Sequence, residues 1–179
     1  MKASGLTALM ARIDAVEYGI CRTLNRGASL PVPRRVFQIA SRLGDGIIWY
    51  CLILALPVLY GTVAVKPAVV MALTGLLGVL LYKLLKRVFV RERPFITHSS
   101  IYLAAAPLDR YSFPSGHTLH AVSFTWQVCA HFPELSWVLL PLTALIAGSR
   151  VVLGLHYPTD VLVGAVIGGS LAELGLSLA

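Results

Sequence analysis

Charged residues are scarce in this sequence, and their scarcity excludes most soluble folds. Aspartate, glutamate, lysine and arginine together make up 13% of the 179 residues, whereas 57% of the residues are hydrophobic. A soluble domain carries about 25% charged residues. The shortage of charge therefore indicates an integral membrane protein.

Acidic residues are the rarer of the two charge signs. Eight Asp and Glu stand against fifteen Lys and Arg, which gives a formal net charge of +7. In so apolar a chain the cations must gather at a few water-exposed places, where they can meet lipid headgroups or a phosphorylated substrate. No basic stretch is interleaved with exposed aromatic residues, so we predict membrane lipid and not nucleic acid as the partner.

Cysteine pairs and a long N-terminal apolar run are also missing. Three cysteines are present, none in a CxxC pair or beside a histidine at metal-ligand spacing: Cys21, Cys51 and Cys129. We predict buried structural thiols at all three positions, and neither a metal nor a cofactor. Charged residues at positions 12, 14 and 17 interrupt the first apolar run, so we expect no cleaved signal peptide.

The N-terminal region shows an amphipathic pattern. Apolar residues recur at helical spacing from Leu6 to about Leu24, with charged residues elsewhere on the helical wheel, which predicts a helix lying at the membrane interface. The segment 25–33 carries Gly, Ser and two prolines, so it should end this helix and let a second, basic helix begin near Arg34. We predict an interfacial region over residues 1–45.

Five apolar stretches follow, and together they predict an all-α fold. The expected spans are about 47–65, 67–86, 115–132, 135–153 and 157–178. We therefore predict an integral membrane helical bundle of five transmembrane helices over residues 46–179, in addition to the N-terminal interfacial amphipathic helices. The polar segment 87–114 is typical of a functional loop. Gly164 and Gly168 form a GxxxG pattern that predicts close helix packing.

Basic residues are distributed unequally between the two sides of this predicted bundle. Five crossings put the N-terminal region, the loop 87–114 and the turn near 150–158 on one side. Of the fifteen Lys and Arg, all except Lys66 fall on that side. The tendency of basic residues to remain inside predicts that this side is cytoplasmic.

Three polar clusters lie at that same face: KRVFVRERPF, PSGH and SRVVLGLHYPTD. Ionisable residues at the ends of spanning helices are costly unless they face water, form pairs or act in chemistry. Lys86, Arg93 and Arg150 suit a tetrahedral dianion, since Arg presents a planar fork of donors and Lys a point charge. Gly116 permits close approach of a ligand to the backbone, and backbone amides at the start of the third predicted span, 115–132, would add hydrogen-bond donors.

His156 and Asp160 are four residues apart. On a helix beginning there, the two side chains would share a face, and the carboxylate would hold the imidazole tautomer. The other ring nitrogen would then be free to attack phosphorus. His117 would give a proton to the departing alkoxide and afterwards take one from water.

The three clusters resemble the tripartite signature of the type 2 phosphatidic acid phosphatase family, which shares its site with the vanadium haloperoxidases. The family pattern is Lys, six residues, Arg-Pro; then Pro-Ser-Gly-His; then Ser-Arg, five residues, His, three residues, Asp. It is matched in order from Lys86 to Asp160. The resemblance implies phosphate binding by Lys86, Arg93 and Arg150, hydrogen bonds from Ser115 and Gly116, acid–base catalysis by His117, nucleophilic attack by His156 and orientation by Asp160. No metal is implied.

The resemblance and the charge distribution differ on orientation. Members of the family commonly have six spans and an outward-facing site, whereas an interfacial helix replaces the first span here. The resemblance therefore implies an outward-facing site, and the Lys and Arg distribution predicts a cytoplasmic one. Either arrangement predicts a multi-pass protein of the bacterial cytoplasmic membrane.

The predicted activity is hydrolysis of a lipid phosphomonoester or pyrophosphate through a phosphohistidine, without a metal. Candidate substrates are polyprenyl phosphate or pyrophosphate, phosphatidate, phosphatidylglycerophosphate and a phosphorylated saccharolipid. One alternative is a lipid-linked phosphotransferase using the same phosphohistidine. Another is a non-enzymatic protein that binds anionic lipid, which would not need the His–Asp pair. The oligomeric state is not predicted.

Several polar residues near the clusters match no part of the signature. Arg87 and Arg91 are equally consistent with cationic anchors at a helix end and with the site. Solvent exposure, helix packing or contact with the membrane interface explains His98, His120 and His131, and we assign them no catalytic role.

Overall fold

The fold is a bundle of helices. The computed structural model describes residues 5–178, with side chains from residue 12 onward. Its α-helices are α1 Gly5–Asn25, α2 Pro31–Leu43, α3 Ile47–Tyr60, α4 Val65–Val88, α5 Pro94–Thr97, α6 Gly116–His131, α7 Ser136–Val152 and α8 Pro158–Leu176. Within this range, pairing of extended backbone is limited to one isolated bridge between Glu92 and Tyr111. The predicted all-α class is confirmed.

Helices α1 and α2 carry exposed apolar side chains. Val16 of α1 and Val32 of α2 expose 62% and 72% of their surface. Exposed apolar side chains are what a helix at a lipid surface needs, and the interfacial location stays a prediction. The side chains of the predicted α1 face before residue 12 lie outside the described residues. Helix α2 begins at Pro31, three residues before the expected start, because proline is tolerated in a first helical turn, where amides lack intrahelical partners.

Helices α3 and α4 form an antiparallel hairpin. Trp49 near the start of α3 packs against Phe124, and Tyr60 at its end packs against Phe132, so α3 runs parallel to α6. The chain then turns through a 3₁₀ segment at Gly61–Ala64. Gly61 has a φ of 70°, a left-handed conformation that favours glycine.

Helix α4 returns antiparallel to α6. Its middle contacts the second half of α6, where the Gln127 amide donates to the Thr74 hydroxyl across 3.0 Å. Its last turn reaches the segment before α6, where Lys86 Nζ donates to the Tyr111 carbonyl across 2.8 Å. The C-terminal end of α4 therefore lies beside the N-terminal end of α6.

The GxxxG pattern packs α8 directly against α6. A Cβ atom at Gly164 would lie 2.6 Å from the Ser115 carbonyl oxygen, and one at Gly168 would lie 2.3 Å from that of Leu119. These distances are too short for any side chain, so the two helix backbones touch. The predicted use of these glycines in packing is confirmed.

Three helical segments in the described range are long and apolar enough to cross a membrane. They are Ile47–Val88, Pro133–Val152 and Pro158–Leu176. The first has 42 residues, about twice the roughly 20 that one crossing needs, and it contains the reversal at Gly61. Helix α6, with 16 residues, is shorter than that length. Helices of membrane type are therefore present, and the number of crossings stays a prediction.

Candidate active site

One end of the bundle gathers the three predicted phosphate-binding cations. Lys86 lies in the last turn of α4, Arg93 immediately precedes α5, and Arg150 lies in the last turn of α7. Each exposes 8% of its surface or less. A buried cation is costly unless it is paired or hydrogen-bonded, so the partners of these three define the site.

Lys86 and Arg93 share one carboxylate, that of Asp109. Lys86 Nζ lies 2.8 Å from each carboxylate oxygen, and a terminal nitrogen of Arg93 lies 2.8 Å from Oδ1. Arg150 donates to the Ser41 hydroxyl, while its buried Nε has no hydrogen-bond partner in the described part of the chain. The group of cations therefore retains donor capacity for an anion.

His156 lies in the turn between α7 and α8 and is 1% exposed. Its backbone amide donates to the Arg150 carbonyl across 3.0 Å, and its Nε2 lies 3.2 Å from the Arg93 guanidinium. Arginine has donors only, so Nε2 accepts this hydrogen bond and the ring proton is assigned to Nδ1. Nε2 is therefore the nitrogen with a lone pair directed at the cations.

Asp160 is related to His156 differently from the sequence-based expectation. Helix α8 begins at Pro158, so His156 precedes the helix and the expectation of a shared helical face was wrong. Asp160 Oδ2 accepts the Tyr157 amide at 2.8 Å and lies 3.6 Å from His156 Nδ1. That distance is beyond a hydrogen bond. The carboxylate caps α8 and faces the protonated ring nitrogen.

Pro114 to His117 form the start of α6. The buried Ser115 is its N-cap, with Oγ accepting from the Thr118 amide at 3.5 Å. The Ser115 amide donates to the Asp160 carbonyl across 3.0 Å and so joins the beginnings of α6 and α8. Gly116 and His117 follow in the first turn, where backbone amides are free to bind an anion.

Asp45 is a site residue that the sequence analysis missed. It lies in the turn between α2 and α3, and its Oδ1 is 2.6 Å from His117 Nε2. A carboxylate only accepts when ionised, so His117 Nε2 carries the proton. The hydrogen bond from His117 holds the pKa of Asp45 below its usual range. No local motif around Asp45 indicated this contact.

Arg91 belongs to the site and is not only a cationic anchor. Its guanidinium donates to Asp160 Oδ1 at 2.9 Å and to Glu17 at 2.5 Å, and it stacks 4.0 Å from the Tyr157 ring centre. Glu17 also accepts the Thr159 amide at 3.0 Å. The ion pairs and hydrogen bonds of these groups tie α1 to the beginning of α8, next to His156.

A cavity of about 760 Å³ opens beside these residues. Its lining includes five of the eight predicted site residues, namely Lys86, Arg93, Gly116, His117 and Arg150, together with Asp45 and Asp109. Ser115, His156 and Asp160 do not line it. Because Arg93 both lines the cavity and contacts His156 Nε2, its guanidinium lies between the cavity and the predicted nucleophile.

The environment of His156 disfavours its protonated form. Removal from water, followed by the positive charges of Arg150, Arg93 and Lys86, holds the pKa of His156 well below its usual range. The imidazole is therefore neutral at pH 7, as a nucleophile requires.

His98 and His120 make contacts that do not involve the predicted phosphate-binding residues Lys86, Arg93 and Arg150. His120 contacts the carbonyl oxygens of Gly116 and Gly75, and His98 stacks on Tyr18. Over residues 12–178, no group of three or more His, Cys, Asp or Glu side chains is arranged to hold a metal ion.

Known proteins resemble this chain in sequence. The model of the PAP2 superfamily matches residues 63–178, which confirms the predicted family. Undecaprenyl-diphosphatase BcrC of Bacillus subtilis is 33% identical over 122 residues, which cover 68% of this chain and 63% of that protein. Lipid A 1-phosphatase of Rhizobium etli is 33% identical over 94 residues, covering 50% of this chain and 40% of that protein. The matches thus span less than two thirds of these relatives.

A solved structure also shares the fold. The crystal structure of Aquifex aeolicus LpxE superposes with a TM-score of 0.78 and 28% sequence identity. The match covers 89% of this chain and 93% of that chain. The likeness therefore extends over most of this chain and most of that chain.

Proposed function

Because the chain belongs to the PAP2 superfamily, we propose that it is a membrane lipid phosphatase acting through a phosphohistidine without a metal. The substrate is a lipid phosphomonoester or pyrophosphate. The names of the two relatives, an undecaprenyl-diphosphatase and a lipid A 1-phosphatase, make a polyprenyl pyrophosphate and a phosphorylated saccharolipid the first substrates to test. Phosphatidate, phosphatidylglycerophosphate and polyprenyl monophosphate complete the set.

The composition of the cavity is the observation that carries this proposal. One end of its lining is basic, with Lys86, Arg93 and Arg150. The other end is apolar and consists of side chains from α3, α4 and α6, among them Ile53, Leu54, Ala72, Leu76 and Phe124. A phosphate head and a hydrocarbon chain on one molecule match this division.

In the first step, His156 Nε2 attacks phosphorus. A P–N bond forms while the bond from phosphorus to the leaving oxygen breaks, which is the oxygen of a lipid alcohol or, for a pyrophosphate, of a lipid monophosphate. His117 enters this step as the imidazolium, gives one ring proton to the leaving oxygen and becomes neutral. Lys86, Arg93 and Arg150 neutralise the charge on the transferring group. The Arg93 guanidinium must turn from Nε2 toward the phosphate before attack.

In the second step, water hydrolyses the phosphohistidine. His117, now neutral, takes a proton from water as the water oxygen attacks phosphorus and the P–N bond breaks. Inorganic phosphate leaves and Nε2 regains its lone pair. Asp160 balances the positive charge that His156 acquires in the intermediate.

The proposed membrane arrangement has five crossings, by α3, α4, α6, α7 and α8. Their site ends then share one face, so phosphate meets water while the lipid chain stays in the bilayer. Helices α1 and α2, within residues 1–45, lie on the interface beside the site with exposed apolar side chains in the lipid. The bacterial cytoplasmic membrane is the expected location, and access of a non-permeant substrate from each side of oriented vesicles decides between the cytoplasmic and outward orientations.

Phosphate release from a panel of purified lipid phosphates tests the proposal. His156→Ala should abolish release, whereas His131→Ala, at the exposed far end of α6, should leave it unchanged. Unchanged release by folded His156→Ala protein would exclude the assigned nucleophile. Product formed only when a second lipid acceptor is added would favour the phosphotransferase alternative.

Inhibitors test the chemistry of the site. Vanadate, a trigonal-bipyramidal mimic of the transferring phosphate, should inhibit turnover, and a chelator should not. Turnover that persists in millimolar vanadate, or that stops with chelator, would contradict the proposed mechanism.

The apolar end of the cavity can be tested with substrates of two lengths. Ala72→Phe adds bulk to the lining and should raise KM for a long-chain lipid phosphate, while a short water-soluble phosphomonoester should be hydrolysed as before. Leu73→Phe is the matched control, since Leu73 is 62% exposed and does not line the cavity. Equal effects of Ala72→Phe on both substrates would place the lipid chain elsewhere.

A further inference from the structure

The Asp109 carboxylate accepts hydrogen bonds from Lys86 and Arg93, two of the cations that are assigned to phosphate. Its two carboxylate oxygens lie 2.8 Å from Lys86 Nζ, and Oδ1 also lies 2.8 Å from Arg93. One planar anion thus receives hydrogen bonds from two of the three cations. Partial burial acts to raise the pKa of Asp109, but the pairs with Lys86 and Arg93 outweigh it and hold the pKa below its usual range.

The same contact holds Arg93 in the position that covers the nucleophile. Arg93 Nε donates to the Asp109 backbone carbonyl at 2.9 Å, and Arg93 Nη2 donates to the Asp109 carboxylate at 2.8 Å. Its remaining terminal nitrogen then donates to the Leu155 carbonyl at 2.7 Å and to His156 Nε2 at 3.2 Å. The lone pair of Nε2 is thereby occupied while Asp109 is in place.

We propose that Asp109 is an internal competitor for the phosphate site, a carboxylate that every phosphate ligand must displace and that helps expel phosphate after hydrolysis. This inference rests on the proposed function, since it assigns Lys86 and Arg93 to phosphate. A dianion bound by both cations leaves no cation for the carboxylate and repels it. Displacement also frees Arg93 to turn away from Nε2.

The chain around Asp109 permits this displacement. The Asp109 side chain is 40% exposed. The backbone is tied to the fold on either side, by the Ala104 amide bonded to the Leu153 carbonyl and by the Ser112 amide bonded to the Arg91 carbonyl. Residues 105–110 between these ties form an irregular segment. The carboxylate can therefore leave for water without disturbing the helices.

Binding of inorganic phosphate to the purified full chain, measured by calorimetry, tests the proposal without requiring turnover. Asp109→Asn removes the competing charge and should lower the dissociation constant about tenfold or more. Glu92→Gln removes a carboxylate from the same loop that pairs with the exposed Arg110, and should leave the constant unchanged. Phosphate binding that is unchanged, weaker or undetectable in Asp109→Asn would overturn the proposal.

A second measurement uses the unaltered chain. Saturating phosphate should increase amide hydrogen exchange in segment 105–110, because displacement releases the contact that holds it. Unchanged or slower exchange there would also overturn the proposal. Failure of the proposed function is recognised separately, by the absence of phosphate release from the lipid panel, whereas both measurements here report binding alone.

Discussion

His117 Nε2 donates a hydrogen bond to Asp45 Oδ1 across 2.6 Å, which joins the first turn of α6 to the turn that precedes α3. The neighbouring Gly44 has no room for a side chain, since a Cβ atom there would lie 2.9 Å from the His117 ring. The N-terminal region therefore shapes the surroundings of the proposed acid–base group. Asp45 is positioned to orient His117 and to balance its charge.

Replacement of Asp45 should impair proton donation more than binding. Asp45→Asn keeps the shape of the side chain but removes its charge, so kcat for an alkyl phosphate should fall by about one to two orders of magnitude. An aryl phosphate whose leaving group needs no proton, such as p-nitrophenyl phosphate, should be affected far less. Steady-state kinetics with both substrates make the measurement.

The control for Asp45 is Asp14→Asn, which alters an exposed carboxylate in α1 and should change neither rate. Equal losses on the two substrates in Asp45→Asn would indicate a structural role and contradict the positioning of His117.

Removal of Arg91 should disturb the His156–Asp160 pair. Arg91→Met leaves the buried carboxylates of Glu17 and Asp160 without their common cation, and a buried charge without its partner is strongly destabilising. We expect kcat/KM to fall about tenfold or more, with a lower thermal midpoint. Arg110→Met, which removes an exposed cation in the neighbouring loop, should change neither quantity. Wild-type kinetics in Arg91→Met would show that Arg91 is only a membrane anchor.

The pKa of His156 predicts how stability depends on pH. Its pKa in the folded chain lies well below the ordinary 6.5, so between these two values the unfolded chain binds a proton that the folded chain does not. Stability from this group is therefore fully present above 6.5 and is lost as pH falls below it. His156→Gln removes the effect, so its thermal midpoint should decline less steeply than that of the wild type between about pH 6.5 and 5. Parallel declines in the two proteins would contradict the assigned shift.

A side chain at Gly168 should separate α6 from α8. The Cβ atom of Gly168→Ala would lie 2.3 Å from a backbone oxygen of α6, which cannot move without moving the helix. We expect a loss of about 1–3 kcal/mol of stability and lower activity, because the beginnings of both helices form the site. Gly19→Ala provides the comparison, since a Cβ there meets nothing within 4 Å. An unchanged thermal midpoint for Gly168→Ala in detergent would refute this packing.

The helical spacing of apolar residues and the positions of helix-breaking residues predicted most of the fold. Apolar runs separated by Gly, Pro and charged residues located α3, α4, α6, α7 and α8 within a few residues. The structure ends α3 at Tyr60, five residues before the expected boundary, because the chain reverses at Gly61. The expected helical relation of His156 and Asp160 was wrong because Pro158 begins α8. Side-chain spacing alone does not tell on which side of a helix boundary a residue lies.

The sequence by itself determined the helical class, the family and the residues of the three clusters, because each of these depends on residue types at short, regular spacing. Only the tertiary structure decided that Asp45 binds His117, that Glu17 binds Arg91 and that Asp109 binds Lys86. These partners are 72, 74 and 23 residues apart. Contacts over such separations depend on how helices and loops pack together, and no local repeat along the chain records them.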